Sequence, residues 1–397
     1  MTDSEHGTQN GSQNGTDRAA VPSPVDPTPV DRSPVDPVPL DPTPLDVVGV
    51  GSPLVDVLAT AAEDAITAAG LVRGSMALVD LGRAEKIYAA MGPTVEVSGG
   101  SAANTMAGIA ALGGLAGFVG KIADDPLGQV FVHDIRASGV LYQPVVGAGT
   151  APAGGTGTGE GAGAGEGAGA GGHGDEAVGT GRCLVLVSGD GERTMATHLG
   201  VAGTIAPADI PTDLVARASV VYLEGYLWDL PPAKEAMRRA MAVAHDHDGS
   251  VALSLSDPFC VDRHQREFLD LLLDDVDVLF GNEEEITRLF GVSSLKAALD
   301  AAEETGLLVA VTRGAEGSVV MTARGPVTVP AVPVPAVVDT TGAGDLYAAG
   351  FLYGLTHGAD PEGCARLGAV CAGEVIGHLG ARPQADLQAL AAAAGLS

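Results

Sequence analysis

The chain has 397 residues, a length that suits one large α/β domain or two smaller ones, with ample capacity for a hydrophobic core. Its 21 basic and 50 acidic residues give a formal net charge of -29, which argues against nucleic acids and anionic membranes as partners because both need a basic surface. No apolar stretch is long enough to span a membrane and no signal-peptide pattern is present, so we expect a cytoplasmic protein.

Residues 1–44 are predicted to form a disordered tail rich in proline and aspartate. A five-residue repeat places PVD three times and then PLD twice between residues 24 and 46, and prolines at this frequency exclude helix and sheet. The composition favours an extended, solvated, acidic arm, although docking of a partner stays open. The folded domain is expected to cover residues 45–397.

A second low-complexity segment, residues 147–181, is dominated by glycine and alanine. It has few apolar side chains to bury, and it has no lysine that would suit a phosphate cradle, so we predict a disordered loop. Residues 183–188 have a strand pattern, GDGE offers a hairpin turn, and residues 193–198 have the pattern of the returning strand. The loop is therefore predicted to be an insertion between strands of a small sheet.

The rest of the chain alternates between strand and helix patterns. The predicted strands are at 47–51, 115–123, 219–225, 251–256, 276–282, 307–314, 318–323 and 327–332. The predicted helices are at 103–112, 127–138, 231–248, 264–274 and 283–290. Strands followed by helices predict parallel βαβ units, and hence an α/β fold with a doubly wound, mostly parallel sheet. Ligands of such a sheet bind at the carboxyl ends of its strands.

The stretch VVDTTGAGDLYAAGFLYGL, residues 337–355, carries the clearest chemical signal. Val337 and Val338 end a β-branched run, Asp339 and Thr340 suit helix caps, and residues 346–355 have apolar side chains at helical spacing. Glycines at 342 and 344 let a ligand approach the backbone, and the helix N-terminus attracts an anion such as phosphate. Asp345 could then take a proton from a nucleophile beside that phosphate. An ordinary capped helix is the alternative.

Two further stretches could bind a polar substrate. In VGVGSPLVD, residues 48–56, Asp56 could accept two hydrogen bonds from a vicinal diol, although a helix cap or a solvated acid is equally compatible. In SGGSAANT, residues 98–105, Gly99 and Gly100 permit close backbone approach and Asn104 offers a donor and an acceptor one turn later.

Two other stretches could serve a nucleotide and its metal ion. Asn282 and Glu285 in GNEEE stand three apart at a helix start and suit a hydrated Mg²⁺, although a helix start enriched in acids would look the same. Thr312, Gly314 and Gly317 in VTRGAEG could let the backbone approach a nucleotide, which is a weak signal alone. The four cysteines, Cys183, Cys260, Cys364 and Cys371, show no metal-binding spacing and are expected to be buried thiols in a reducing compartment.

Together these motifs resemble the PfkB family of carbohydrate and nucleoside kinases, which has the ribokinase-like fold. DTTGAGD at 339–345 resembles the C-terminal signature of the family, the stretch at 98–128 resembles its N-terminal signature, and NEEE fits its N-x-x-E magnesium motif. Within the family, GSPLVDV, VVYLEGYLWD and LSLSDPFCVDRHQREFL are most similar to adenosine kinases. Ser52 departs from that pattern, because adenosine kinases usually have asparagine there.

The resemblance implies a three-layer α/β fold with a small β-sheet lid, built from segments near 72–97 and 141–200. It implies that Asp345 is the general base and that Gly342, Ala343 and Gly344 form the anion hole for the transferring phosphoryl group. It assigns the ribose hydroxyls to Asp56, Gly99, Gly100 and Asn104, with Ser52 and Ser101 beside them. It assigns the γ-phosphate to Arg193, the ATP side to Thr312, Gly314 and Gly317, and Mg²⁺, held through water, to Asn282 and Glu285.

The resemblance also leaves three functions open. The first is ATP-dependent phosphorylation of the 5′-hydroxyl of adenosine to give AMP in purine salvage. The second is a sugar kinase acting on ribose, fructose or 2-keto-3-deoxygluconate, and the third is a catalytically idle nucleoside-binding regulator. Small-molecule substrate and ATP are the expected partners, a monovalent cation near Asp339 is an open possibility, and monomer and dimer are equally compatible.

Overall fold

The computed structural model describes residues 43–147, 179–189 and 192–396. Residues 1–42 of the predicted tail and 148–178 of the predicted loop lie outside the described residues. The strands within the described ranges are, in chain order, β1 (Leu45–Val50), β2 (Leu54–Thr60), β3 (Met76–Leu78), β4 (Val95–Gly99), β5 (Ala116–Val119), β6 (Lys121–Ala123), β7 (Leu141–Tyr142), β8 (Val145–Gly147), β9 (Gly181–Val187), β10 (Arg193–His198), β11 (Ala218–Glu224), β12 (Ser250–Ser254), β13 (Val278–Asn282), β14 (Leu308–Thr312), β15 (Ser318–Thr322) and β16 (Gly325–Val329).

The α-helices in the same ranges are, in chain order, α1 (Glu63–Ala68), α2 (Leu81–Ala90), α3 (Ser101–Ala111), α4 (Pro126–Ala137), α5 (Thr212–Val215), α6 (Pro231–Asp246), α7 (Pro258–Asp274), α8 (Glu283–Leu289), α9 (Leu295–Thr305), α10 (Ala343–Thr356), α11 (Pro361–Val375) and α12 (Leu387–Ala393). Most of them begin with a side-chain cap or with a proline in the first turn, whereas α3 and α10 begin after a glycine. Asp125 caps α4 and Asp257 caps α7, each by accepting a hydrogen bond from the backbone three residues later. No helix among the described residues is long and apolar enough to cross a bilayer.

The large sheet has nine strands in the order β16-β15-β14-β13-β12-β11-β1-β5-β7. It is parallel from β14 to β7, whereas β15 and β16 are antiparallel. Two apolar cores cover its faces: α3, α4, α10, α11 and α12 pack on one face and α5 to α9 pack on the other. This confirms the predicted three-layer, mostly parallel α/β fold, whose strands are buried on both faces as parallel strands usually are.

The small sheet has five strands in the order β3-β10-β9-β2-β4, and its own apolar core packs against α1 and α2. The antiparallel pairing of β9 with β10 confirms the predicted hairpin flanks. The predicted lid segments differ from this sheet in two places. They omit β2, which lies in the middle of it, and they include residues 141–147, where β7 joins the large sheet and β8 pairs with β6.

Two local predictions are wrong. Residues 330–340 contain no strand, so Val337 and Val338 do not end one. Three prolines at 330, 333 and 335 remove the backbone donors that a sheet ladder needs, which explains why the β-branched run stays outside the sheet. The cap of α10 is Gly342 in a left-handed conformation (φ 77°), in place of Asp339 or Thr340.

Candidate active site

A cleft of about 520 Å³ lies between the two sheets. Its floor is formed by the carboxyl ends of large-sheet strands, and its cover is the small sheet. The floor residues at these strand ends include Glu224, Ser254, Phe280, Gly281, Asn282 and Thr312. The cover residues include Leu54, Asp56, Met76, Leu78, Cys183, Arg193, Met195 and Thr197. The position agrees with the rule that parallel α/β sheets bind ligands at their carboxyl edge.

The structure brings most of the predicted site residues to this single cleft. Those that line it are Ser52, Asp56, Gly100, Ser101, Asn104, Arg193, Asn282, Glu285, Thr312, Gly342, Gly344 and Asp345. Those that do not line it are Gly99, Gly314, Gly317 and Ala343. The motifs are up to 293 positions apart in sequence (Ser52 to Asp345), so their meeting is a consequence of the sheet order.

Asp345 lies in the first turn of α10 with both carboxylate oxygens oriented by α3. The Ser101 hydroxyl donates to Oδ1 at 2.7 Å, and the Asn104 amide donates to Oδ2 at 2.9 Å. Burial raises the pKa of Asp345, and the hydrogen bonds from Asn104 and Ser101 and the positive charge of Arg382 oppose this rise. A carboxylate held in this way has remaining lone pairs for an incoming hydroxyl proton.

The turn at 340–344 leads into α10 and opens towards the cleft. Gly342 has φ 77°, and the Ala343 N–H donates to the Thr340 carbonyl at 3.2 Å, so that amide is engaged within the turn. A Cβ added at Gly344 would meet no protein atom within 4 Å. The first-turn N–H groups of a helix have no intrahelical acceptor, so this end of α10 suits an anion.

Gly99 and Gly100 are required by the close approach of the end of β4 to β2 and to the segment before it. A Cβ at Gly99 would lie 2.3 Å from Asp56 Oδ2, and a Cβ at Gly100 would lie 2.2 Å from the Ser52 carbonyl oxygen. Gly100 also has φ 96°, which side chains other than glycine rarely adopt. Burial raises the pKa of Asp56 to about 7, although Arg193 and Arg382 lower it. The glycine pair thus lets the Asp56 carboxyl lie directly against the backbone of β4.

Asn282 and Glu285 face each other in a capping box at the start of α8. The Asn282 backbone and side-chain amides donate to Glu285 at 3.0 and 2.6 Å, and the Glu285 N–H donates to Asn282 Oδ1 at 2.9 Å. Burial raises the pKa of Glu285 to about 7. No group of three or more candidate metal-ligating side chains occurs in the described ranges. The pair offers hard oxygen ligands at the cleft wall, which fits a Mg²⁺ ion that keeps its waters and takes further oxygens from phosphate.

The glycines of the β14–β15 connection serve its backbone conformation, and Gly317 also serves close packing. Gly314 and Gly317 have positive φ angles of 55° and 86°, and a Cβ at Gly317 would lie 2.1 Å from the Val329 carbonyl oxygen. The Arg313 N–H closes the turn by donating to the Gly317 carbonyl at 2.8 Å. Of the three predicted ATP-side residues, Thr312 is the one that lines the cleft.

Arg193, at the start of β10, forms a buried ion pair with Asp339. Asp339 also accepts hydrogen bonds from the Thr341 N–H at 3.0 Å and from the Gly380 N–H at 2.8 Å. The ion pair therefore connects the small sheet to the turn at 340–344. Arg193 Nε is buried without a hydrogen-bond partner among the described residues.

The comparisons with known proteins agree with this geometry. The profile of "pfkB family carbohydrate kinase" matches residues 173–387. The chain belongs to the pfkB family. It is 42% identical to the solved adenosine kinase of Sinorhizobium meliloti, with a TM-score of 0.79, over 89% of this chain and 100% of that one.

Two other relatives show the range of activities in the pfkB family. A "probable sugar kinase protein" from Rhizobium etli CFN 42 is 41% identical with a TM-score of 0.80, over 89% of this chain and 100% of that one. The adenosine kinase of Saccharomyces cerevisiae is 27% identical over 340 residues, which are 80% of this chain and 90% of the yeast protein. The chain is therefore a pfkB-family phosphotransferase that acts on an alcohol group of a sugar or nucleoside, with ATP as co-substrate.

Sequence reasoning missed two charged residues of this pfkB-family site. Glu224, at the end of β11, is buried and accepts hydrogen bonds from the Ser52 N–H at 2.7 Å and the Ala102 N–H at 3.0 Å. Burial raises its pKa to about 7. Its signal was an acid at a strand end in YLEGY, whereas Arg382, in the segment after α11, has no local signal.

Proposed function

We propose that the protein is an ATP-dependent adenosine kinase that phosphorylates the 5′-hydroxyl of adenosine to give AMP, with a role in purine salvage in the cytoplasm. The observation that carries the proposal is a patch of four apolar side chains in the cover of the cleft. Leu54, Met76, Leu78 and Met195 of the small sheet line it opposite the polar floor. A flat base suits such a surface, whereas a free sugar has hydroxyls on every side that need polar partners.

The ribose would bind between the cover and the floor. Asp56 can accept hydrogen bonds from two vicinal hydroxyls, and Asn104 Oδ1 is a buried acceptor without a partner among the described residues. The glycine backbone at 99 and 100 gives the sugar room beside Asp56. Ser52 and Ser101 lie next to this position.

Transfer would proceed by positioning and charge stabilisation. Asp345 takes the proton of the 5′-hydroxyl as the oxygen attacks the γ-phosphorus of ATP, and ADP leaves. The open turn at Gly344 and the N-terminus of α10 stabilise the charge on the transferring group. Arg193 would exchange Asp339 for the γ-phosphate, which requires that the buried ion pair opens when ATP binds.

Mg²⁺ would be held through water by Glu285 and Asn282, and it would neutralise phosphate charge when bound. Thr312 would contact ATP from the end of β14. We also propose that the small sheet acts as a lid that excludes water, because water would otherwise compete as the acceptor.

Activation by a monovalent cation near Asp339 is tested by comparing the turnover rate in K⁺ with that in Na⁺ at fixed ionic strength.

A sugar kinase is the second candidate, because the similarity to the Rhizobium etli protein is equal to that for the adenosine kinase and the floor of the cleft is strongly polar. An idle regulator is the weakest candidate, because Asp345 keeps both orienting hydrogen bonds.

A substrate panel separates these functions. The purified chain is incubated with ATP and Mg²⁺ and with adenosine, ribose, fructose or 2-keto-3-deoxygluconate, and ADP and the phosphorylated product are measured. Turnover of adenosine to AMP supports the proposal, and kcat/KM for adenosine should exceed that for each sugar. Turnover of a sugar with no turnover of any nucleoside establishes the alternative. Binding of adenosine without any turnover identifies the regulator.

A further inference from the structure

Arg382 reaches from the segment after α11 to both sides of the β4–α3 turn, the junction at Gly99 and Gly100 where β4 ends and α3 begins. Its Nη1 donates to the Ala103 carbonyl at 2.9 Å, and its Nη2 lies 3.5 Å from the Ser98 hydroxyl, at the limit of a hydrogen bond. Ser98 precedes the two glycines and Ala103 follows them. The guanidinium fork therefore contacts a side-chain hydroxyl before the turn and a backbone carbonyl after it.

The two residues before Arg382 contact the other half of the site. The Gly380 N–H donates to Asp339 at 2.8 Å. Ala381 packs so closely against Gly342 that a Cβ at Gly342 would lie 2.6 Å from the Ala381 Cβ. Three consecutive residues thus connect the turn at 340–344 to the β4–α3 turn.

Several carboxylates act on the positive charge of Arg382, but none of them forms a close ion pair with it. No ion pair of Arg382 occurs within 4.0 Å among the described residues, and its Nε is buried without an acceptor there. Burial lowers the pKa of Arg382 to about 10, and Asp56, Asp134 and Asp345 oppose this. A buried cation without a dedicated partner is costly, so a compensating function is expected.

We propose that Arg382 is a positioning residue: its fork fixes the β4–α3 turn against the turn at 340–344, and its charge is shared by Asp56 and Asp345 across the acceptor site. The proposal rests on the proposed role of Asp345 as general base. Nothing in the described geometry gives Arg382 direct contact with a reacting atom. It acts through the first turn of α3, where Ala103 accepts its hydrogen bond and where Ser101 and Asn104 orient the Asp345 carboxylate.

Other groups also act on the Asp345 carboxylate. Ser101 and Asn104 face it from α3, Asp56 from β2, Tyr222 and Glu224 from β11, and Tyr226 from the turn that follows. Arg382 is the cation that lowers the pKa of Asp345 within this set. Its removal should therefore raise that pKa and move the acid limb of kcat to higher pH.

Two variants separate the charge of Arg382 from its fork. Arg382→Gln removes the charge, and we expect the acid limb of kcat to move up by about one pH unit and the acceptor KM to rise. Arg382→Lys keeps the charge and loses the fork, and we expect an unchanged acid limb with an acceptor KM raised about three- to tenfold. Arg366→Gln is the control, because Arg366 is another arginine that donates to a backbone carbonyl, that of Ala394, but on the surface. Its profile should superimpose on that of the wild type.

An Arg382→Gln protein with the wild-type profile and acceptor KM would overturn the proposal. If the Arg382→Gln protein does not fold, the Arg382→Lys protein provides the test, and an unchanged acceptor KM in that protein overturns the proposal. The profiles are measured with whichever acceptor the wild type phosphorylates, so failure of the adenosine assignment leaves this test intact. If Asp345 proves not to be the base, hydrogen exchange at residues 98–104 in the ligand-free protein replaces the profile. Faster exchange in either Arg382 variant supports the proposal that the guanidinium fork fixes the β4–α3 turn, and unchanged exchange refutes it.

Discussion

Gly344→Ala should separate stability from activity in this enzyme. The added methyl group meets no protein atom within 4 Å, so it causes no clash in the folded chain. Gly344 is the second residue of α10, where alanine is favoured over glycine by about 0.5 kcal/mol, which corresponds to a rise in Tm of about 1 °C for a large domain. The unfolding free energy should therefore stay the same or increase slightly.

Activity should change in the opposite direction. The methyl group projects into the space where the transferring phosphoryl group is proposed to approach the backbone N–H groups. Loss of one such donor costs about 10²- to 10³-fold in rate, so we expect kcat/KM to fall by about 10²-fold or more. Adenosine binding without ATP, measured by calorimetry, should be retained, because Asp56 and Asn104 are unaffected.

Gly82→Ala is the matched control. Gly82 is also the second residue of its helix, α2, and is exposed, and the nearest atom to an added Cβ is Asp80 Oδ1 at 3.6 Å. This variant should gain similar stability with unchanged kinetics. A Gly344→Ala enzyme with wild-type kcat/KM would show that no phosphoryl group approaches this turn, and the proposed anion site would be refuted.

Three further changes test other parts of the site. Asp345→Asn should lower kcat by about 10²- to 10⁴-fold with adenosine binding retained, and unchanged turnover would remove the base assignment. Gly99→Ala places a Cβ 2.3 Å from Asp56 Oδ2, so the carboxyl must move by about 1 Å; kcat/KM for the acceptor should fall by about 10²-fold, and equal kinetics would mean that Asp56 does not bind it. Asp56→Asn should raise Tm more at pH 8 than at pH 5. The folded-state pKa of about 7 lies above the ordinary value of 3.8, so the folded protein binds the extra proton and loses stability as pH rises between these two values. A Tm gain independent of pH, seen by thermal unfolding at both pH values, would contradict that reasoning.

Local patterns predicted the layers and much of the site because those features are encoded in short stretches. The alternation of buried strands and capped helices gave the parallel sheet, and the glycine spacing in DTTGAGD gave the turn before α10. Asn282 and Thr312 lie at the carboxyl ends of large-sheet strands, as the sheet rule predicts, whereas Asp56 lies within β2 of the small sheet and Asp345 in the first turn of α10.

The failures concern features that depend on distant partners. Residues 54–60 alternate buried and partly buried side chains, but their place in the small sheet depends on pairing with β9, more than 120 residues away. The left-handed cap at Gly342 depends on Ala381, and the Arg193–Asp339 pair joins residues 146 positions apart. Arg382 could not be chosen from its neighbours in sequence, because its two acceptors lie 279 and 284 positions away.

The chain passes from the large sheet to the small one in only three residues, Gly51 to Pro53, and returns through Gly100 between β4 and α3. These two crossings touch, since no side chain fits between Gly100 and the Ser52 carbonyl. If the small sheet rotates as proposed, the backbone must bend at these two crossings, at the start of β9 and at the end of β10, and the first two border the proposed acceptor position. Under the proposed function, a substitution that stiffens Gly51 to Pro53 or Gly100 is expected to alter lid closure and acceptor selectivity together.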